Sequence, residues 1–145
     1  MDSMPAVFDR MVAYAQDAVL HAKSAHGITL DYSPDSVKQV EDILSRDSRS
    51  IPRGSVEDLP RRDPSMNDVD IIAHMYGAYI GETLRRVADA EWSLVTELVP
   101  GETLISLRRG TVCIFPVEKV YKRLAQGTGS NVSVYVDVLL EKLWE

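Results

Sequence analysis

Apolar residues recur three and four positions apart through the opening segment "AVFDRMVAYAQDAVLHAKSAH". Val7, Met11, Ala15, Ala18 and Ala22 form one stripe, with Ser3 and Pro5 at its start and Gly27 as its stop. That spacing predicts an amphipathic helix. A second follows in "LDYSPDSVKQVEDILSRD", where Ser33 is the expected N-cap, Pro34 and Asp35 suit the first turn, and Val37, Val40, Ile43 and Leu44 make the buried face. Ser65 with Asp68 resembles a capping box and opens a third helix through "MNDVDIIAHMYGAYIGETLRRVADA". Val69, Ile72, Ala73, Tyr76, Ile80, Leu84 and Val87 form one face there, and Ile71, Met75, Ala78 and Tyr79 widen it. A helix apolar most of the way round belongs at the centre of a domain.

The period then changes to two. "EWSLVTEL", "TLISLRR" and "TVCIFP" read as strands, with Pro100-Gly101 as a type II turn and Arg109-Gly110 as a tight turn, and so predict a three-stranded antiparallel meander. Pro116 opens a short helix, "VEKVYKRLAQ", with Val117, Val120, Tyr121 and Leu124 on one face and "GTGS" at its end. In "NVSVYVDVLLEKLWE" the valines at 132, 134, 136 and 138 alternate as in a strand, while Val132, Tyr135, Val136, Leu139, Leu140 and Leu143 fit a helix. Ser130 as N-cap and the helix-forming "LLEKLWE" favour the helix. The fold class expected is α+β: N-terminal helices and a long central helix, the meander, and two C-terminal helices over the sheet.

The 145 residues suit a single domain, with 45% hydrophobic and 26% charged positions. Residues 46–64 break the helical pattern with three prolines, a glycine and few apolar anchors, so a long flexible loop is expected there. Its five arginines face four carboxylates, which reads as a solvated mixed-charge segment rather than a nucleic-acid arm. A net charge of −6 argues against nucleic acid and anionic membrane as partners. No secretory leader and no membrane span are expected, which makes the cytoplasm the default compartment. Cys113, in the apolar run "TVCIFP", reads as a small core residue.

Candidate chemistry is sparse. Asp70, His74, Gly77 and Gly81 line one stripe of the central helix. Asp70 and His74 could pair as acid and imidazole, but a metal needs a third ligand that the spacing does not supply. The glycines read as places where a neighbour packs closely. His21 and His26 stand five apart on different faces of the first helix, so they are not expected to form a metal pair. No phosphate loop, nucleotide fingerprint, nucleophile elbow or paired-cysteine motif is present. No catalytic residue, metal or cofactor is therefore expected, and whether the chain is an enzyme stays open. Two sets of binding candidates remain. Tyr76, Tyr79, Glu82 and Trp92 could line a pocket between the central helix and the sheet. Lys119, Lys122 and Arg123 share the face opposite Val117 and Val120 and read as a solvated side or a site for an acidic partner.

"LDYSPDSVKQVEDIL", "YGAYIGETLRR", Trp92 and "IFPVEKVYKRLAQG", in this order, give a pattern that resembles an uncharacterised family of small bacterial domains. The likeness spans roughly residues 28 to 143. It implies a bacterial, cytoplasmic α+β domain with a helical C-terminus, and it supplies no catalytic residues. The arginine-bearing loop at 46–64 departs from the compact helix-to-helix connection that the resemblance implies. The function expected is a non-catalytic protein-interaction or regulatory domain, an immunity-type or accessory factor whose partner is another protein. A small-molecule-binding protein or enzyme is the alternative.

Overall fold

A computed structural model describes residues 4–51, 59 and 65–143. Helix α1 (Met4–His26) is followed by α2 (Ser36–Ser50) and α3 (Asp68–Ala88). Strands β1 (Glu91–Val95), β2 (Leu104–Arg109) and β3 (Val112–Ile114) follow, then α4 (Pro116–Gln126) and α5 (Val132–Val138). The architecture is α+β, as the periodicities require. α3 lies at the centre, packed along α1 and against α4, and α5 packs on α2.

The stripes of α1 and α2 are buried as their spacing predicts. Val7, Met11, Ala15, Ala18 and Ala22 are inaccessible, as are Val37, Val40, Ile43 and Leu44. α1 stops at Gly27, whose φ of +66° is left-handed and whose N–H donates to the Lys23 carbonyl. Ahead of α2, the Ser36 N–H donates to Ser33 Oγ at 3.1 Å in the turn before the helix, but the N-cap is Asp35 rather than the expected Ser33, and its side chain makes no cap bond. On α3 the apolar cover is nearly complete from Ile71 to Leu84, whereas Val69 is only partly buried and Val87 is 47% exposed.

Two further caps differ from expectation. The N-cap of α3 is Asn67, not Ser65: Asn67 Oδ1 accepts the Asp70 N–H at 2.9 Å while Asp70 Oδ2 accepts the Asn67 N–H at 3.1 Å. This is a capping box with Asn and Asp in place of Ser and Glu, because the shorter pair closes the same reciprocal ring. Asn67→Ala should cost about 1 kcal/mol in urea unfolding; an unchanged midpoint would remove the cap from the list of stabilising contacts. At α5 the cap is Asn131 rather than Ser130, its Oδ1 accepting the Ser133 and Val134 N–H groups at 2.9 and 3.1 Å. Residues 132–138 are helical, with Val132, Val136 and Leu139 buried at helical spacing.

α2 also runs further than expected. Arg46 to Ser50 continue the helix, so the first part of the expected loop is helical. Asp47 is on the buried side of that extra turn, which Ile43 and Leu44 extend naturally. Residues 52–58 and 60–64 of the expected loop, and the flexibility expected of them, lie outside the described residues.

The sheet is an antiparallel meander in the order β1-β2-β3, with Trp92 opposite Leu107 and Leu107 opposite Ile114. These three residues face inward and are buried against the helices. Pro100-Gly101 form the expected turn: Gly101 has φ +79° and the Glu102 N–H donates to the Val99 carbonyl at 3.1 Å. Gly110, at φ +61°, turns β2 into β3 with Thr111. Cys113 is exposed, contrary to the core position expected of it. The apolar run around it is a strand, and alternation sends Ile114 inward and Cys113 outward beside Arg108.

Candidate functional site

The central helix carries most of the polar candidates, and the fold turns them inward. Gly81 lets the six-membered ring of Trp92 sit directly on α3; a Cβ there would lie 2.1 Å from Trp92 Cη2. The indole Nε1–H then donates to Glu82 Oε2 at 2.9 Å, and Arg85 completes a two-pronged clasp on the same carboxylate at 2.7 and 3.1 Å. Glu82 and Trp92 are thus brought together, as partners of each other.

The two tyrosines go elsewhere. The Tyr32 N–H donates to Tyr79 Oη at 2.7 Å, and Tyr79 shares a 2.6 Å hydrogen bond with Ser36 Oγ. Because the Ser36 hydroxyl donates to the Ser33 carbonyl at 2.7 Å, Tyr79 is the donor to Ser36. This chain holds Tyr32 at its left-handed φ of +62°, with the Arg86 guanidinium 3.6 Å above the Tyr32 ring. Tyr76 Oη lies 2.6 Å from His21 Nδ1 on α1. Burial pushes both phenols above the usual tyrosine range, Tyr76 furthest. Tyr76, Tyr79, Glu82 and Trp92 are 0, 0, 1 and 4% exposed, so they pack as core instead of lining one shared pocket.

The basic set on α4 also separates. Arg123 is 2% exposed and leaves the solvated face on which the sequence placed it. It sits at the margin of the apolar stripe, three residues beyond Val120, and meets Glu41 of α2 at 2.6 Å. Lys122 is exposed, while Lys119 reaches over the Tyr135 ring at 5.0 Å. Burial lowers the Lys119 ammonium below the usual lysine range, and pushes the Tyr135 phenol up to about 12. These two residues share a shallow groove of about 340 Å³ with Asn131, Val134 and Val138.

The Asp70–His74 pair does not form. Both Asp70 oxygens are engaged, one in the cap of α3 and one by the Tyr121 hydroxyl, and His74 Nδ1 approaches the Asp70 backbone carbonyl at 2.7 Å. The His74 ring lies between Tyr14 and Tyr121.

A different cluster assembles where α1 and α2 end. His21, His26 and Asp47 bring one ligand-capable atom each to within 4.8 Å of the others. His26 Nε2 is 2.9 Å from Asp47 Oδ1, and the two imidazoles meet edge to face at 5.4 Å between centroids. Residues i and i+5 are roughly 140° apart on an ideal helix, which is why the sequence separated the histidines. Both long side chains nevertheless converge on Asp47, which α2 presents between them. Burial raises the Asp47 carboxyl above the usual carboxylate range, and His21 and His26 pull it back down. The signal available in sequence was a polar residue on the next step of an apolar stripe: His21 after Ala18, and Asp47 after Ile43 and Leu44.

On the outer face of the sheet, Ser93, Val95, Arg108 and Cys113 join Glu97, Leu98 and Phe115 around an open groove of about 420 Å³. Leu98 and Val99, in the loop between β1 and β2, are 61 and 40% exposed. No helix of the described residues is long and apolar enough to cross a membrane. Comparison of the chain with protein families, curated proteins and solved structures finds no match.

Proposed function

We propose that the chain is a non-catalytic interaction or regulatory domain of the bacterial cytoplasm, immunity-type or accessory, that docks another protein on the outer face of its sheet. The observation that supports this reading is the contrast between the two faces. The inner face is closed by Trp92, Leu107 and Ile114, whereas the outer face keeps a groove with Leu98 standing exposed in its lining. Exposed apolar residues beside a groove with charges of both signs, here Glu97 and Arg108, have the composition of a protein-binding patch. The polar side chains of α3 are consumed by internal bonds, so they support scaffold roles rather than ligand binding.

Cys113 offers a direct test, because it is the single cysteine of the chain and lies in the groove. A photoreactive maleimide placed on it should crosslink one discrete bacterial protein in cell extract. Leu98→Asp should abolish that product while leaving the melting midpoint unchanged. A product equally abundant with Leu98→Asp, or none at all, would remove the groove as the docking surface.

A further inference from the structure

The geometry points to a binding site for one divalent transition-metal ion, formed by His21 and His26 of α1 and Asp47 of α2. It goes beyond the proposed docking role and is independent of it, since its ligands come from helices and the groove from strands. Two imidazoles and a carboxylate are a recurrent donor set for zinc and for ferrous iron, with a further coordination position left for water. Those donors already stand together: one ligand atom from each residue lies within 4.8 Å of the other two. Donors on one tetrahedral zinc sit roughly 3.3 Å apart, given bonds of about 2.0 to 2.1 Å. The 2.9 Å between His26 Nε2 and Asp47 Oδ1 is therefore within a few tenths of an ångström of a liganded spacing.

A second observation is independent of that proximity. Asp47 is 2% exposed, and among the described residues no hydrogen bond reaches its Oδ2. A buried carboxylate oxygen without a donor calls for a partner, and a cation between the two histidines would supply one. A third concerns orientation. The Tyr76 hydroxyl lies 2.6 Å from His21 Nδ1, which assigns coordination to Nε2 when Nδ1 carries the proton and donates to Tyr76. Metal-binding histidines are fixed in this way by an outer partner on the second nitrogen. Tyr76 is thus a positioning residue, itself wholly buried. His26, whose side chain is 11% exposed, forms the edge through which an ion would enter.

The test uses the full chain, stripped with chelator and titrated with Zn²⁺ alone in a calorimeter. Uptake of one ion per chain is expected, with a melting midpoint that rises with the Zn²⁺ concentration. Co²⁺ in its place should give the visible ligand-field bands of a mixed nitrogen–oxygen site. Asp47→Asn and His26→Gln keep size and polarity, and each should weaken Zn²⁺ binding at least tenfold and alter the Co²⁺ spectrum. Tyr76→Phe should weaken binding by about tenfold to a hundredfold while preserving uptake of one ion. Folded wild-type protein that takes up no Zn²⁺ and gives no Co²⁺ bands overturns the site. So does uptake that Asp47→Asn and His26→Gln leave unchanged, which would mean surface binding. Should both ligand variants fail to fold, the wild-type spectrum with that of Tyr76→Phe decides: identical bands and affinity overturn the proposal.

Discussion

Arg123→Met should lower the stability of the folded chain by about 3–5 kcal/mol, as expected when one partner of a buried ion pair is removed. The guanidinium makes a close-range clasp: Nε donates to both oxygens of Glu41 at 2.9 and 2.8 Å, and Nη2 donates to Ser45 Oγ at 2.6 Å. Glu41 Oε1 also accepts the Val132 N–H at 3.0 Å, at the start of α5. One carboxylate thereby ties α2, α4 and α5 together. Methionine fills most of the arginine's volume but offers no donor, so the Glu41 carboxyl would be left without its partner in a site that water scarcely reaches. The penalty arises from that stranded carboxylate rather than from the worth of the pair. The double variant Glu41→Leu/Arg123→Met should therefore recover part of the loss, while the Val132 N–H stays without its acceptor. Urea unfolding of the three variants measures this directly. A loss below about 1 kcal/mol for Arg123→Met would place the pair with ordinary exposed ion pairs.

This hub also shows where sequence reading reached its limit. The apolar stripes of α1 and α2, the wide apolar cover of α3, the meander and the Pro100-Gly101 turn follow from local periodicity and backbone preference, which a single chain displays. Glu41, Asp47, His21 and Arg123 are buried because partners from other helices satisfy them. Partners 82 residues apart, as Arg123 and Glu41 are, leave no mark on local spacing. What the sequence did contain was their place: each sits on or beside an apolar stripe, where a charged residue is costly unless paired. Treating Arg123 and Asp47 as solvated moved Arg123 onto the wrong face and hid the cluster at Asp47. Tyr76 and Tyr79, expected in a pocket, are buried for the same reason. Their hydroxyls suggested ligand contacts, yet each is spent on another helix or loop. Cys113 erred in the opposite direction, since a run of apolar residues in a strand still alternates between faces.

Gly77 and Gly81 give the second large effect, and they differ in what stands against them. A Cβ on Gly77 would lie 2.5 Å from Val117 Cα, 2.9 Å from its nitrogen and 3.0 Å from the Pro116 carbonyl oxygen. All three are backbone atoms at the start of α4, so no rotamer change relieves the clash; α4 must move off α3. Alanine would gain about 1 kcal/mol of helix propensity over glycine. Overpacking of 1–3 kcal/mol or more opposes that gain. Gly77→Ala should thus be destabilising by about 1–2 kcal/mol, and Gly77→Leu by about 3 kcal/mol or more. At Gly81 the obstacle is the Trp92 ring, 2.1 Å from the added carbon. That ring can pivot only by withdrawing Nε1–H from the buried Glu82, so Gly81→Leu should also cost a few kcal/mol. Gly129 is the internal control, because a Cβ there meets nothing within 4 Å. Gly129→Ala should fall within about 0.5 kcal/mol of the wild type. If Gly77→Ala unfolds at the same urea concentration as Gly129→Ala, the close approach of α4 to α3 is wrong. If Gly81→Leu keeps wild-type stability but loses the crosslinked partner, the stripe is a binding surface instead of a packing seam.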